Sequence, residues 1–119
     1  MADEGDTAAA RARLEEVRAA ARARLAALDR SFDDVVAAAD GANTDDEHDP
    51  EGATIGFERA QVTALAEQSR QSLADADAAL ARLGAGSYGR CARCGRDIPA
   101  ARLAVRPTAT MCVECAGRR

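Results

Sequence analysis

The sequence predicts a mainly α fold: a long antiparallel two-helix coiled-coil hairpin followed by a small C-terminal four-cysteine module. Three observations lead there. Two long stretches repeat apolar residues at steps of three and four. A polar stretch containing Gly and Pro separates them, and all four cysteines fall in two close pairs near the end. Composition agrees. Hydrophobic residues make up 47% of the chain, but alanine supplies most of them, and Phe32, Phe57 and Tyr88 are the only aromatics. Alanine buries little area, so a narrow, elongated helical seam stapled at one end suits this composition better than a thick globular core.

Residues 1–6 read as an acidic tail, and Thr7 as an N-cap. From Ala8 to Ala39 there is no Gly or Pro, and Leu14, Val17, Ala21, Leu25, Leu28, Phe32, Val35 and Ala39 form an apolar stripe. The stripe predicts a helix of roughly 50 Å at about 1.5 Å per residue. Gly41 suits its C-terminal cap. Residues 41–54 are polar and acidic and predict a loop at the hairpin tip. The second stripe starts near Thr54 and comprises Ile55, Val62, Leu65, Ser69, Leu73, Ala76, Leu80 and Leu83, with Gly84 and Gly86 ending it. Two helices of similar length joined this way are expected to fold back on each other. The hairpin then occupies residues 7–85 and the cysteine module residues 86–119. Phe32 and Phe57 are expected near the loop end of the seam, and Tyr88 against the zinc knuckle or the base of the hairpin.

The cysteines are spaced Cys91-x2-Cys94, seventeen residues, Cys112-x2-Cys115. Each C-x2-C turn brings two thiolates onto one metal, and two such turns complete a tetrahedral shell of four sulfurs, the pattern of a zinc site. Gly95 fits the tight knuckle beside the metal. A full shell leaves no position for water, so the expected cofactor is one structural Zn2+, not a catalytic one. Pro99 starts a short helical turn between the pairs, and Pro107 ends it. A thiol redox pair is the rival reading of C-x2-C, but it calls for a βαβ context that this chain lacks.

Charge is unevenly placed. Six acids and no Arg lie between Asp40 and Glu51, whereas seven Arg face only Asp97 and Glu114 from Arg90 onward. Four zinc-bound thiolates add a local charge of about −2, which trims the basic excess without cancelling it. Arg90, Arg93, Arg96, Arg102 and Arg106 are candidates for contact with acidic protein surfaces or phosphates. Stacking aromatics and base-reading elements are missing, so sequence-specific DNA binding is not expected. His48, the one histidine, sits among the loop acids. The acidic start of the chain is not a secretory signal, and no apolar run spans a bilayer. A cytoplasmic monomer with no membrane contact is expected. No nucleophile–base pair or open metal position marks an enzyme.

The stretch from Gly86 to Leu103 (GSYGRCARCGRDIPAARL), then Arg106 to Ala109 (RPTA) and Cys112 to Cys115 (CVEC), closely resembles the signature of the DksA/TraR family. These are zinc-finger transcription regulators of bacteria, and the upstream hairpin extends the similarity over most of the sequence. The resemblance implies direct binding to RNA polymerase, with the coiled coil entering the secondary channel and its acidic tip approaching the catalytic magnesium region. Initiation is thereby raised or lowered, often together with a nucleotide alarmone. The family tip carries an acid, one residue and Ala, which Glu51, Gly52 and Ala53 match, after Asp49 and Pro50. The resemblance thus implies Asp49 and Glu51 as the functional acids and Ala53 as a close-packing partner, with Asp45, Asp46 and Glu47 as secondary candidates. His48 stands where the family often has a further acid. Arg106 matches a basic position used for alarmone or polymerase contact, while the chain has no Lys for the others. The competing functions are a zinc-ribbon coiled-coil adaptor for another protein and a thiol redox switch.

Overall fold

The computed structural model describes residues 4–41 and 50–118. It contains four helices among them: α1 (Glu4–Gly41), α2 (Pro50–Ala85), α3 (Ala100–Val105) and α4 (Val113–Ala116). One isolated antiparallel bridge, Arg90 with Asp97, is the only β pairing among the described residues. The chain is therefore mainly α, with two long helices packed as an antiparallel pair before a four-cysteine cluster.

Both long helices extend beyond the limits that apolar periodicity indicates. α1 begins at Glu4, so Thr7 lies inside its first turns and is not its cap. The early acids Glu4 and Asp6 are the residue type that a helix N-terminus favours. Gly41 is the last residue of α1. α2 starts at Pro50, so residues 50–54 belong to its opening turn and not to a loop. Proline tolerates a first helical position because the missing N–H has no intrahelical acceptor there, and an acid follows it at Glu51. Asp45, Asp46, Glu47, His48 and Asp49 lie outside the described residues, as do the side chains of Phe32, Glu51 and Ala53.

At its other end α2 closes on Gly86, which takes φ +83°. The Gly86 N–H donates to the Leu83 carbonyl at 3.3 Å, and the Ser87 N–H donates to the Arg82 carbonyl at 2.9 Å. These two bonds form a Schellman stop, and a left-handed residue makes it possible. Gly86, not Gly84, therefore ends the helix.

By internal contact the chain forms two units, Met1–Ala19 with Leu73–Arg119, and Ala20–Ser72. In the first, Ala10, Leu14, Ala76 and Ala79 are buried, and the Arg18 Nε donates to Asp77 Oδ1 at 2.6 Å. In the second, Ala21, Ala66 and Ser69 are buried, and the Arg24 Nε donates to Ser69 Oγ at 3.4 Å. Partner numbers fall along α2 as they rise along α1, as an antiparallel pair requires. The buried positions are mostly alanines. Such side chains let two helix backbones approach closely while burying little surface each.

The seam differs from the apolar stripes in detail. Leu65 is 44% exposed and Ala66 is buried in its place, because the three- and four-residue steps through Val62, Ala66 and Ser69 keep one face. Phe57 is 71% exposed, which overturns its expected place in the seam.

Candidate metal centre

Two backbone knuckles present the cysteines. In the first, the Cys91 N–H donates to the Arg96 carbonyl at 2.8 Å and the Gly95 N–H to the Cys91 carbonyl at 2.9 Å. The Ile98 N–H closes the loop on the Gly89 carbonyl at 2.7 Å. Gly95 (φ +75°) sits where a β-carbon would be strained, so the turn beside the sulfurs depends on glycine. The second knuckle is the start of α4. Cys112 occupies its N-cap position, and the Ala116 N–H donates back to the Cys112 carbonyl at 2.9 Å. A bond from the Ala92 N–H to the Thr110 carbonyl at 2.8 Å ties the two knuckles together.

The four Sγ atoms all lie within 4.8 Å of one another, and those of Cys94 and Cys112 are 3.9 Å apart. A tetrahedral shell with Zn–S bonds near 2.3 Å places its sulfurs about 3.8 Å apart. Four sulfur donors at this spacing fit zinc, and they close the shell. Cys91 and Cys115 are buried, Cys112 is half-buried and Cys94 is exposed.

The electrostatics of the thiols point the same way. A hydrogen bond from the Cys94 backbone, joined by one from Cys112, holds Cys91 down at about 6. Burial first, then hydrogen bonding with the neighbouring thiols, pushes Cys115 up to about 12. One thiolate is thus favoured in the cluster while a second resists ionising beside it. A divalent cation removes that conflict by neutralising the gathered charge.

A small apolar layer supports the cluster. Ile98 and Leu103 are buried against Cys91 and Cys115, with Tyr88, Ala109 and Met111 packed on them. The Tyr88 hydroxyl donates to the Pro107 carbonyl at 2.7 Å. The Arg102 Nε donates to the Met111 carbonyl at 2.9 Å, just before the second knuckle. Arg93 reaches the carbonyls of Cys115 (3.5 Å) and Arg118 (3.3 Å). Arg102 and Arg93 therefore hold the module together, a role that their place in a set of surface arginines conceals. Arg90, Arg96 and Arg106 are exposed, with Arg106 at the C-cap of α3.

Comparison with known proteins agrees with this geometry. The model of the prokaryotic dksA/traR C4-type zinc finger matches residues 86–119. RNA polymerase-binding transcription factor DksA of Caulobacter vibrioides, strain NA1000 / CB15N, is 41% identical over 66 residues, which is 56% of this chain and 46% of that protein. The same protein of strain ATCC 19089 / CIP 103742 / CB 15 matches equally. The chain thus spans about half the length of the curated relatives it matches. The structure of transcription factor DksA2 from Pseudomonas aeruginosa superposes with a TM-score of 0.80 at 32% identity, covering 96% of this chain and 82% of that one. The cluster is a site for one structural zinc ion.

Proposed function

The chain belongs to the DksA/TraR family, and from that premise we propose that it is a non-enzymatic transcription regulator that binds RNA polymerase directly. In this reading the connection between α1 and α2 enters the secondary channel and modulates initiation. Cys91, Cys94, Cys112 and Cys115 hold the zinc, which supplies a rigid junction and no chemistry of its own. The observation that carries the proposal is the likeness, over nearly the whole chain, to a transcription factor of known structure. The charge pattern supports it. In sequence, Asp45, Asp46, Glu47 and Asp49 fall between the two long helices, and Glu51 opens the second. Carboxylates brought near a magnesium site change the field on the ion, its ligands and nearby basic groups. Ala53 gives the tip a small side chain for close approach, and exposed Arg106 offers a cation to polymerase acids or to a phosphorylated nucleotide. The proposed compartment is the cytoplasm. No helix among the described residues is long and apolar enough to cross a membrane.

The test is a pull-down with core RNA polymerase followed by initiation assays on two contrasting promoters. The parent chain is expected to co-purify and to change open-complex lifetime. The Asp49→Asn, Glu51→Gln double variant is expected to bind and to lose that change. If the double variant acts like the parent, the tip acids are not the effectors. If the parent fails to co-purify, the polymerase reading falls, and an adaptor for another protein takes its place.

A further inference from the structure

Phe57 is a large apolar side chain with no place in the fold of this chain. It is 71% exposed in the second turn of α2, and Glu58, Arg59, Ala60 and Gln61 after it are exposed as well. At about 100° per residue, Phe57 lies about 160° around the helix from Ile55 and about 140° from Val62, both of which are half-buried. Gly56 beside it has no neighbouring atom within 4 Å of a built β-carbon, so this side of the helix is open. In a chain with three aromatics, one is left in water, and exposed aromatics are the side chains that most often anchor protein interfaces.

We propose that Phe57 is an anchor for RNA polymerase, seating in an apolar pocket rimmed by basic groups beside the surface met by the tip acids. This rests on the function proposed above. Phe57 stands six residues after Glu51 in the sequence, on the same helix. The charge that precedes it in the sequence selects the occupant. Six acids and no Arg lie between Asp40 and Glu51. A second copy would bring the same acids and be repelled, and so would a nucleic-acid backbone or an anionic membrane. A basic protein surface is attracted, and an arginine on its rim gains further from the aromatic face.

The experiment measures the affinity of the zinc-loaded full chain for core RNA polymerase, together with its melting temperature, for the parent, Phe57→Ala and Phe57→Leu. Phe57→Ala is expected to bind about tenfold more weakly or worse, with an unchanged melting temperature, and Phe57→Leu to fall between it and the parent. If the parent binds and Phe57→Ala binds equally well, the anchor is wrong while the polymerase reading stands. A clear drop in melting temperature for Phe57→Ala would place the side chain in the fold and overturn the anchor. A parent that does not bind removes both proposals together.

Discussion

Tyr88 is the single tyrosine of the chain, which makes it a clean reporter of its surroundings. Its hydroxyl donates to the Pro107 carbonyl and its ring packs on the zinc module. Burial raises its pKa above the ordinary 10.0, against a smaller opposing pull from the charge and hydrogen bond of Arg13 and from the charge of Arg82. The folded state therefore holds the phenolic proton more tightly than the unfolded chain does. Stability from this group is complete below pH 10.0 and is lost as the pH rises above it. A spectrophotometric titration of phenolate absorbance should place the midpoint above 10.0 in the folded protein and near it after denaturation. A midpoint at or below the denatured value contradicts the burial argument. Sequence reading located Tyr88 correctly because two glycines and a cysteine knuckle leave it little else to pack on. It misplaced Phe57, since one apolar residue carries no information on which side of a helix it stands.

Along each helix the period was easier to read than the phase. Steps of three and four are visible in the sequence, but Leu65 and Ala66 both count as apolar, and only packing distinguishes them. Close approach favours the smaller one, so on α2 Ala66, Ala76 and Ala79 line the seam and the leucines of that helix flank it. The opening turn of α2 was obscured by Gly52 and Gly56, which are poor helix formers beside an otherwise legible Pro–acid start. The stop was clearer in residue type than in position, with Gly84 and Gly86 both available. Only Gly86 has a positive φ, and Gly86→Ala should therefore destabilise the helix end by about 1 kcal/mol. Gly84→Ala should be neutral or stabilising, because its built β-carbon meets nothing within 4 Å. Chemical denaturation of the two variants checks the pair, and equal effects would mean that the Schellman bonds do not stop α2.

For the molecule as a whole, the cysteine spacing was the most legible feature, because tetrahedral coordination leaves few arrangements for two C-x2-C turns. The supports were not legible. Nothing in a run of arginines separates Arg93 and Arg102, which hold backbone carbonyls, from exposed Arg90, Arg96 and Arg106. The module's apolar layer is thin, with Ile98 and Leu103 its only buried members besides two cysteines. Chelation should therefore unfold residues 86–118 and expose Tyr88 to solvent, read as a change in tyrosine fluorescence and a lower melting temperature. Acid should act in the same direction. Protons compete with the ion for the four thiolates, so zinc affinity and module stability fall together as the pH falls. A module that keeps its tyrosine signal in excess chelator would contradict this dependence. The unequal exposure of the sulfurs has a kinetic consequence. Cys91 and Cys115 lie under the protein surface, out of the way of an incoming ligand. Cys94 stands in water, so an incoming chelator or a competing ion meets that bond first. The lifetime of the loaded form is therefore governed from one corner of the tetrahedron.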